Sequence, residues 1–279
     1  MKMRRLVLAV FLLAACGSAG ADGSALAPPS PPTGALAAWK DFPVNAHPRP
    51  LIVFNRTLEH IGAAGFSAEP NRKVDWFCNK FVFASGVSLP TGSPGVASAQ
   101  GAPYRSIDAA RAYSELMAQR SPPSKQPSCA ASQPFVIKAV RWSTASFPTD
   151  RGAMSMSAWI FDIGEIEAYL AYSGIDPSSF WRGTVQVEGR GAGLSSDGMT
   201  LKIAVGNPGP GPCDFSYTAA AAESDSAVAV AVKQYSHSTP GTDVGCTAAL
   251  RLGFINVPLK APLGGRVLLD ENGHVGAVG

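Results

Sequence analysis

The chain has few charged residues and lacks the short motifs of the common catalytic and metal sites. Asp, Glu, Lys and Arg make up 15% of its 279 residues. It contains no Gly-x-Ser-x-Gly, Ser-x-x-Lys, His-Glu-x-x-His or Gly-x-x-x-x-Gly-Lys segment, so it carries no local signature of a serine nucleophile, a zinc protease or a phosphate loop. No Cys-x-x-Cys occurs, and no His lies at ligand spacing from a second His or a Cys. We therefore expect no catalytic residue, no metal site and no cofactor that the sequence can identify.

The small excess of positive charge comes entirely from the N-terminal segment. The chain has 23 Lys and Arg residues against 20 Asp and Glu residues. Residues 1–15 hold three of the basic residues and none of the acidic ones, so the remainder carries 20 of each sign. A neutral chain without a basic cluster gives no electrostatic support for binding nucleic acid. We therefore expect no nucleic-acid partner.

The first 15 residues have the three-part layout of an export signal. Lys2, Arg4 and Arg5 form a basic start, and residues 6–15 are an uninterrupted apolar run. That run is shorter than the roughly 20 residues needed to cross a bilayer, but it suits a signal peptide. It ends in Leu-Ala-Ala-Cys at Cys16, which resembles the lipobox of bacterial lipoproteins. The resemblance implies cleavage before Cys16, lipidation of its thiol and attachment to the outer face of the cytoplasmic membrane. The alternative is an ordinary signal that happens to end in cysteine.

Composition divides the rest of the chain into three regions. Residues 16–50 are rich in Pro, Gly and Ala with almost no apolar periodicity, which predicts a tether between the lipid and the folded protein. Trp39 and Phe42 are interpreted as the edge of the folded domain. Residues 51–180 are predicted to form an α+β region and residues 181–279 an antiparallel β region. The two could also form one continuous domain.

Hydrophobic periodicity predicts a mainly β protein, α+β overall, with sandwich-like antiparallel sheets and one clear helix. We expect the helix at about residues 106–120 with Ser106 as its N-cap, and a long loop at residues 90–103. Alternating apolar residues predict strands at 135–142, 153–162, 184–188, 200–205, 227–235 and 251–259. Both faces of the strand at 227–235 are apolar, with Val on one and Ala on the other, so we expect it in the centre of a sheet.

Four cysteines remain if Cys16 is lipidated. An even number in an exported protein predicts two disulfide bonds among Cys78, Cys129, Cys213 and Cys246. Three pairings are possible. We favour Cys78–Cys129 and Cys213–Cys246 because each pair lies within one half of the chain and closes a loop of moderate length. The chain-entropy model assigns roughly 3–4 kcal/mol to each such loop.

Two further stretches are similar to an uncharacterised family of secreted lipoproteins from high-GC Gram-positive bacteria. The first is Thr149-Asp150-Arg151-Gly152 followed by Ala158-Trp159. The second runs from Cys213 through Glu223, Val228 and Val230 to Cys246-Thr247, then through Pro262-Leu263-Gly264 and Arg266 to Asp270 and Gly273. The resemblance carries no activity with it. It supports the pairing of Cys213 with Cys246 and the export of the protein as a lipoprotein.

These features favour a non-catalytic binding or interaction module of the cell envelope. Its ligand would be a small molecule, a cell-wall component or an envelope protein. Trp159 and Arg151 are the hypothetical binding residues, although a tryptophan on a half-buried strand is more commonly part of the core. One alternative is a secreted hydrolase with dispersed catalytic residues, since the acidic clusters at residues 162–167 and 223–225 could supply paired carboxylates. The other alternative is an accessory subunit of an envelope complex.

Overall fold

The computed structural model describes residues 26–63, 65–66, 70–120, 129, 131–164, 166–183, 188–237, 245–246 and 249–279. Over these residues the protein is mainly β, as predicted. The strands are β1 (Thr57–His60), β2 (Phe81–Phe83), β3 (Val96–Ala99), β4 (Ala102–Arg105), β5 (Phe135–Thr149), β6 (Gly152–Ile163), β7 (Ala168–Ser173), β8 (Gly193–Leu194), β9 (Thr200–Gly206), β10 (Phe215–Glu223), β11 (Ala227–Ser236), β12 (Leu252–Pro258) and β13 (Val267–Asp270). The α-helices are α1 (Thr33–Leu36), α2 (Pro70–Phe77) and α3 (Ala109–Gln119).

The first seven strands form one curled sheet with buried residues on both faces. Its order is β1-β7-β6-β3-β4, with β5 paired to β6 and β2 paired to β5. Alternation along β6 places Met156 and Ile160 in one core and Trp159 and Phe161 in the other. Helix α3 covers the Trp159 face through Leu116. One hydrophobic core therefore lies on each side of β6.

Helix α3 begins two residues later than the sequence predicted, with its N-cap at Asp108 instead of Ser106. The Asp108 carboxylate accepts a hydrogen bond from the Arg111 backbone N–H at 2.7 Å. The preceding residues are extended because Ile107 N–H donates to the Gly174 carbonyl at 2.9 Å and Ser106 forms a bridge with Ile175. Pairing with the sheet therefore takes the backbone groups that a helix starting at Ser106 would have used.

Two small sheets pack face to face in the second half of the chain. Their orders are β10-β11-β13 and β12-β9-β8, and their inner faces bury Val228, Val230, Leu201 and Ile203. β11 is central, as predicted, with β10 and β13 on either side. The β11–β13 pair is parallel, so this region is mixed and not wholly antiparallel. The chain crosses to the opposite sheet as β12 before returning as β13, and such a crossover is what parallel neighbours require.

Much of the predicted tether is folded onto the second region. Trp39 and Phe42 are each 3% exposed and pack on the alanine face of β11, against Ala227 and Ala229. The small alanines leave room for these rings, which is why aromatic residues in a Pro-rich segment are buried. Ile52 belongs to the same cluster, so this core also joins the two halves of the chain.

Both favoured disulfide pairings are confirmed, since the structure contains Cys78–Cys129 and Cys213–Cys246. The loop expected at residues 90–103 instead contains β3 and the start of β4, which pair as a hairpin. The predicted signal peptide and Cys16 lie outside the described residues, as do residues 184–187 of one predicted strand. Among the described residues, no helix is long and apolar enough to cross a membrane.

Candidate functional site

The turn between β5 and β6 carries Arg151, one of the two predicted binding residues. The Thr149 hydroxyl accepts the Arg151 backbone N–H at 3.0 Å and donates to the Gly152 carbonyl at 2.8 Å. Gly152 has φ +76, a conformation that glycine adopts without steric cost. The turn is therefore fixed by its own residues, and it holds Asp150 and Arg151 at the boundary between the two halves of the protein.

Asp150 is a buried carboxylate shared by two arginines. It is 2% exposed, and its two oxygens accept hydrogen bonds from Arg49 Nη1 and Nη2 at 3.2 and 2.5 Å. Arg151 Nε lies 3.6 Å from the same carboxylate. One negative charge thus faces two positive ones, and the group of three carries a net charge of about +1.

The two arginines also contact the second half of the chain. Arg49 Nε donates to the Gly265 carbonyl at 3.2 Å, and Arg151 Nη2 donates to the Arg266 carbonyl at 2.8 Å. The backbone N–H of Val278 donates to the Asp150 carbonyl at 3.0 Å. The turn at residues 149–152 and the chain around residues 265–278 therefore meet at this point.

A cavity of about 310 Å³ lies beside these arginines. Its polar groups include Arg49, Arg151 and Tyr104, and its apolar wall includes Leu51 and Met154. We call it the Arg49–Arg151 pocket. Ligand pockets commonly combine apolar walls with a few polar groups, and this one does so too.

The electrostatics of the pocket favour an anion. Burial lowers the pKa of Arg151, the neighbouring charge of Arg49 lowers it further, and Asp150 offsets only part of this. Burial also raises the pKa of Tyr104, against the opposing effect of Arg49, and its hydroxyl donates to the Arg49 carbonyl at 3.5 Å. An anion placed beside Arg151 would therefore relieve a positive charge that Asp150, shared with Arg49, leaves partly uncompensated.

The second predicted binding residue, Trp159, lies in the core and not at this site. It is 4% exposed, its indole N–H donates to the Ile107 carbonyl at 2.9 Å, and its ring contacts Trp142. The strand rise of ~3.3 Å places Trp159 about 23 Å along β6 from Gly152. Arg151 and Trp159 therefore do not share a site, and Trp159 is a core residue.

The pocket also uses residues that the sequence did not single out. Arg49 lies in the Pro-rich segment assigned to the tether, 101 residues before Asp150, and Tyr104 follows a stretch interpreted as a loop. No local spacing connects these positions. Only the resemblance at residues 149–152 pointed to the turn that they surround.

One acid of each cluster considered for a hydrolase is engaged in an ion pair. Glu223 accepts hydrogen bonds from Lys260 N–H at 2.7 Å and Arg266 Nη1 at 2.9 Å. Burial alone would raise the pKa of Glu223, but these two donors lower it overall. Asp162 binds Arg141 at 2.8 Å. Glu165 lies outside the described residues.

A second polar cluster attaches helix α3 to the first sheet. Glu115 accepts hydrogen bonds from Arg111 Nε at 2.8 Å and from the Tyr172 hydroxyl, and it lies 3.4 Å from Arg56. The Arg56 guanidinium lies 4.9 Å from the centre of the Tyr172 ring and 4.8 Å from that of Phe180. Burial would raise the pKa of Glu115, but the hydroxyl and the two arginines together lower it. The cluster fixes the helix and lines no cavity described above.

No protein-family model matches this chain, and neither a curated protein nor a solved structure is similar to it. No group of three or more His, Cys, Asp or Glu side chains in the described part of the chain could hold a metal ion. Any ligand of the Arg49–Arg151 pocket therefore has to be inferred from the chemistry of the pocket.

Proposed function

We propose that this protein is an exported, lipid-anchored binding module of the cell envelope that holds a small anion with an apolar part in the Arg49–Arg151 pocket. The observation that carries the proposal is the pair of arginines sharing the single carboxylate of Asp150 at the wall of an otherwise largely apolar cavity. A guanidinium binds a carboxylate or phosphate through two parallel N–H groups, so arginine suits this role better than lysine.

The size of the pocket limits the ligand. At about 310 Å³ it lies at the lower end of the range for small-molecule sites. The anionic group would face Arg151 and Tyr104, and the apolar part would contact Leu51 and Met154. A cation would meet uncompensated positive charge, and a neutral polar molecule would lose hydration without gaining an ion pair. The pocket therefore favours monoanions of the size of an aromatic or short branched carboxylate.

Three isosteric probes test this selectivity. Benzoate, benzamide and benzamidinium have almost the same shape and carry negative, zero and positive charge. At a concentration ten times its dissociation constant, benzoate should stabilise the folded protein by ~1.4 kcal/mol, which is about 3–5 °C in melting temperature. The other two probes should have no comparable effect at the same concentration. Equal stabilisation by all three would contradict the proposed anion site.

A matched pair of arginine variants locates the site. Arg151→Gln removes a charge from the pocket wall and should abolish the benzoate effect. Arg141→Gln removes the same charge from β5, where Arg141 is half exposed and paired with Asp162 outside the pocket. It should leave the benzoate effect unchanged. If both variants lost the benzoate stabilisation to a similar extent, benzoate binding would depend on the overall charge of the protein and not on this pocket.

The membrane anchor is the other half of the proposal, and the residues at 1–16 support it. Cys16→Ala removes the thiol that would carry the lipid. The variant should move from the membrane fraction to the soluble fraction of cells, or accumulate with its signal uncleaved. A variant that is processed and distributed like the native protein would refute the anchor.

A further inference from the structure

Strand β12 carries large apolar side chains on the outer face of the second region. Leu252 and Phe254 are 70% and 68% exposed, and Leu250, just before the strand, is 68% exposed. We call these three residues the β12 apolar patch. Alternate residues of β12 point inward, so that Val257 is buried in the sandwich core. The outward residues therefore contribute little to the core that the strand helps to form.

The neighbouring strand makes this surface flatter and still more apolar. Leu252 pairs with Gly206 and Phe254 pairs with Ala204 on β9. Leu250 lies over Gly206, with Cδ1 3.0 Å from where a Cβ on that glycine would be. Small residues beneath three large ones leave the large side chains projecting from the sheet. Clusters of this kind on a folded surface mark contact with a protein or with lipid.

The path of the chain favours lipid as the partner. The hydroxyl groups of Tyr235 and Thr218 donate to the Ala27 carbonyl, the latter at 3.4 Å. Next to Thr218 on β10, the Tyr217 hydroxyl donates to the Gly206 carbonyl at 2.5 Å. Ala27 therefore lies at the end of the sandwich where Leu252 and Gly206 pair, although it is on the opposite face of the β10-β11-β13 sheet.

The distance along the chain from Ala27 to Cys16 permits this contact. Eleven residues can span at most about 36–40 Å, and two packed sheets are separated by only about 10 Å. If Cys16 carries the lipid, its membrane is thus within reach of the β12 apolar patch around the edge of the sandwich. Nothing in the described part of the structure argues comparably for a partner protein.

We propose that the β12 apolar patch inserts into the lipid interface of the membrane to which Cys16 is attached. This inference rests on the proposed lipid anchor. The lipid and the patch form two points of contact and fix the orientation of the protein.

A flotation assay with phosphatidylcholine vesicles tests the patch separately from the anchor. It uses residues 16–279 with Cys16→Ser, so that no lipid is attached. This protein should float with the vesicles, and L252S/F254S should weaken the partition coefficient at least tenfold, because each apolar side chain that inserts contributes about that factor. Partition should change little between about 50 and 500 mM salt, because apolar insertion is not screened.

The control variant is F77S/V96S, which removes one exposed Phe and one exposed Val from the first region, at 58% and 65% exposure. It should float like the parent protein. A tryptophan at the patch gives a direct measure of depth. Phe254→Trp should shift its emission to shorter wavelength when vesicles are added, whereas Phe77→Trp should not.

Three outcomes would overturn the inference. The first is that the unlipidated protein does not float, and the second is that F77S/V96S loses as much binding as L252S/F254S. The third is that the parent protein does not bind vesicles but self-associates in sedimentation velocity, and that L252S/F254S abolishes this self-association. The patch would then join two copies of the chain. Failure of the lipid anchor appears in the cell fractionation of Cys16→Ala combined with L252S/F254S, where the patch no longer holds the protein on the membrane, so the two proposals can fail independently.

Discussion

Replacing Asp150 with Asn should make the protein less stable and its pocket a better anion site at the same time. The amide has nearly the shape of the carboxylate but none of its charge. In the native protein, that carboxylate accepts two hydrogen bonds from Arg49 and lies 3.6 Å from Arg151. The variant therefore leaves two partly buried guanidinium groups close together without their shared counter-ion.

The size of the destabilisation follows from the burial of the three groups. Breaking a buried ion pair by removing one partner costs about 3–5 kcal/mol. The side chains of Arg49 and Arg151 are 22% and 23% exposed, so water can partly solvate their charges. The amide oxygen that the substitution introduces can still accept one hydrogen bond. We therefore expect Asp150→Asn to lower the free energy of unfolding by about 2–3 kcal/mol. Urea unfolding of the oxidised protein at fixed pH and ionic strength measures this value.

A matched control separates the role of burial from that of charge. Asp162→Asn removes a carboxylate from the exposed pair with Arg141, so the free energy of unfolding should change by less than about 1 kcal/mol. A cost for Asp150→Asn no larger than that of Asp162→Asn would refute the reasoning, because it would mean that solvent screens the Asp150 cluster.

The anion affinity should change in the opposite direction. Asp150→Asn raises the net charge of the cluster from about +1 to about +2. For a ligand carboxylate ~6 Å from Asp150 and an effective dielectric constant of ~40, the lost repulsion is ~1.4 kcal/mol, or roughly tenfold in the dissociation constant of benzoate. Calorimetric titration measures it. Weaker benzoate binding by the variant would show that the anion does not sit beside this cluster.

Three further predictions concern the core, the helix attachment and the disulfides. Trp159→Phe should lower the free energy of unfolding by about 2–4 kcal/mol, because it leaves the Ile107 carbonyl without its donor and opens space in the core, and it should leave benzoate affinity unchanged. The pKa of Glu115 is lowered on folding, so its contribution to stability is complete above its unfolded pKa of ~4.3 and is lost as pH falls through the folded value. Glu115→Gln should therefore reduce stability at pH 7 and flatten the loss of stability below about pH 4.5, and urea unfolding at several pH values would contradict this if both proteins responded equally to acid. Replacing Cys213 and Cys246 together with Ser should cost about 3.7 kcal/mol for the 33-residue separation, and a loss below about 1 kcal/mol would count against the chain-entropy estimate.

The strands of this protein were predictable where a buried face imposes a period of two. The alternation along β6 and the two apolar faces of β11 identify both strands and the central place of β11. The parallel β11–β13 pair was not predictable, because strand direction depends on the route of the chain through the opposite sheet. The start of α3 was misplaced for a related reason, since long-range pairing with Gly174 and Ile175 overrides the local capping preference of Ser106.

The candidate site was only partly visible in the sequence. Arg151 was singled out by a short resemblance at a turn, but Arg49 came from a segment that composition assigned to a tether. Trp159 was grouped with Arg151 as a candidate binding residue, but its position on β6 places it in the core beneath helix α3. Composition describes average behaviour over a segment, and it does not show that a single aromatic or arginine side chain finds a partner a hundred residues away.

The sequence by itself determined the β architecture and the neutrality of the chain beyond its first 15 residues, and among three possible disulfide pairings it favoured the one that the structure contains. Each follows from local information: side-chain alternation, cysteine spacing and a count of charges. Tertiary structure alone decided that Arg49, Asp150 and Arg151 share one cluster, and that Leu250, Leu252 and Phe254 project from one surface. Both groupings depend on which residues are neighbours in space, and that is set by how the sheets pack.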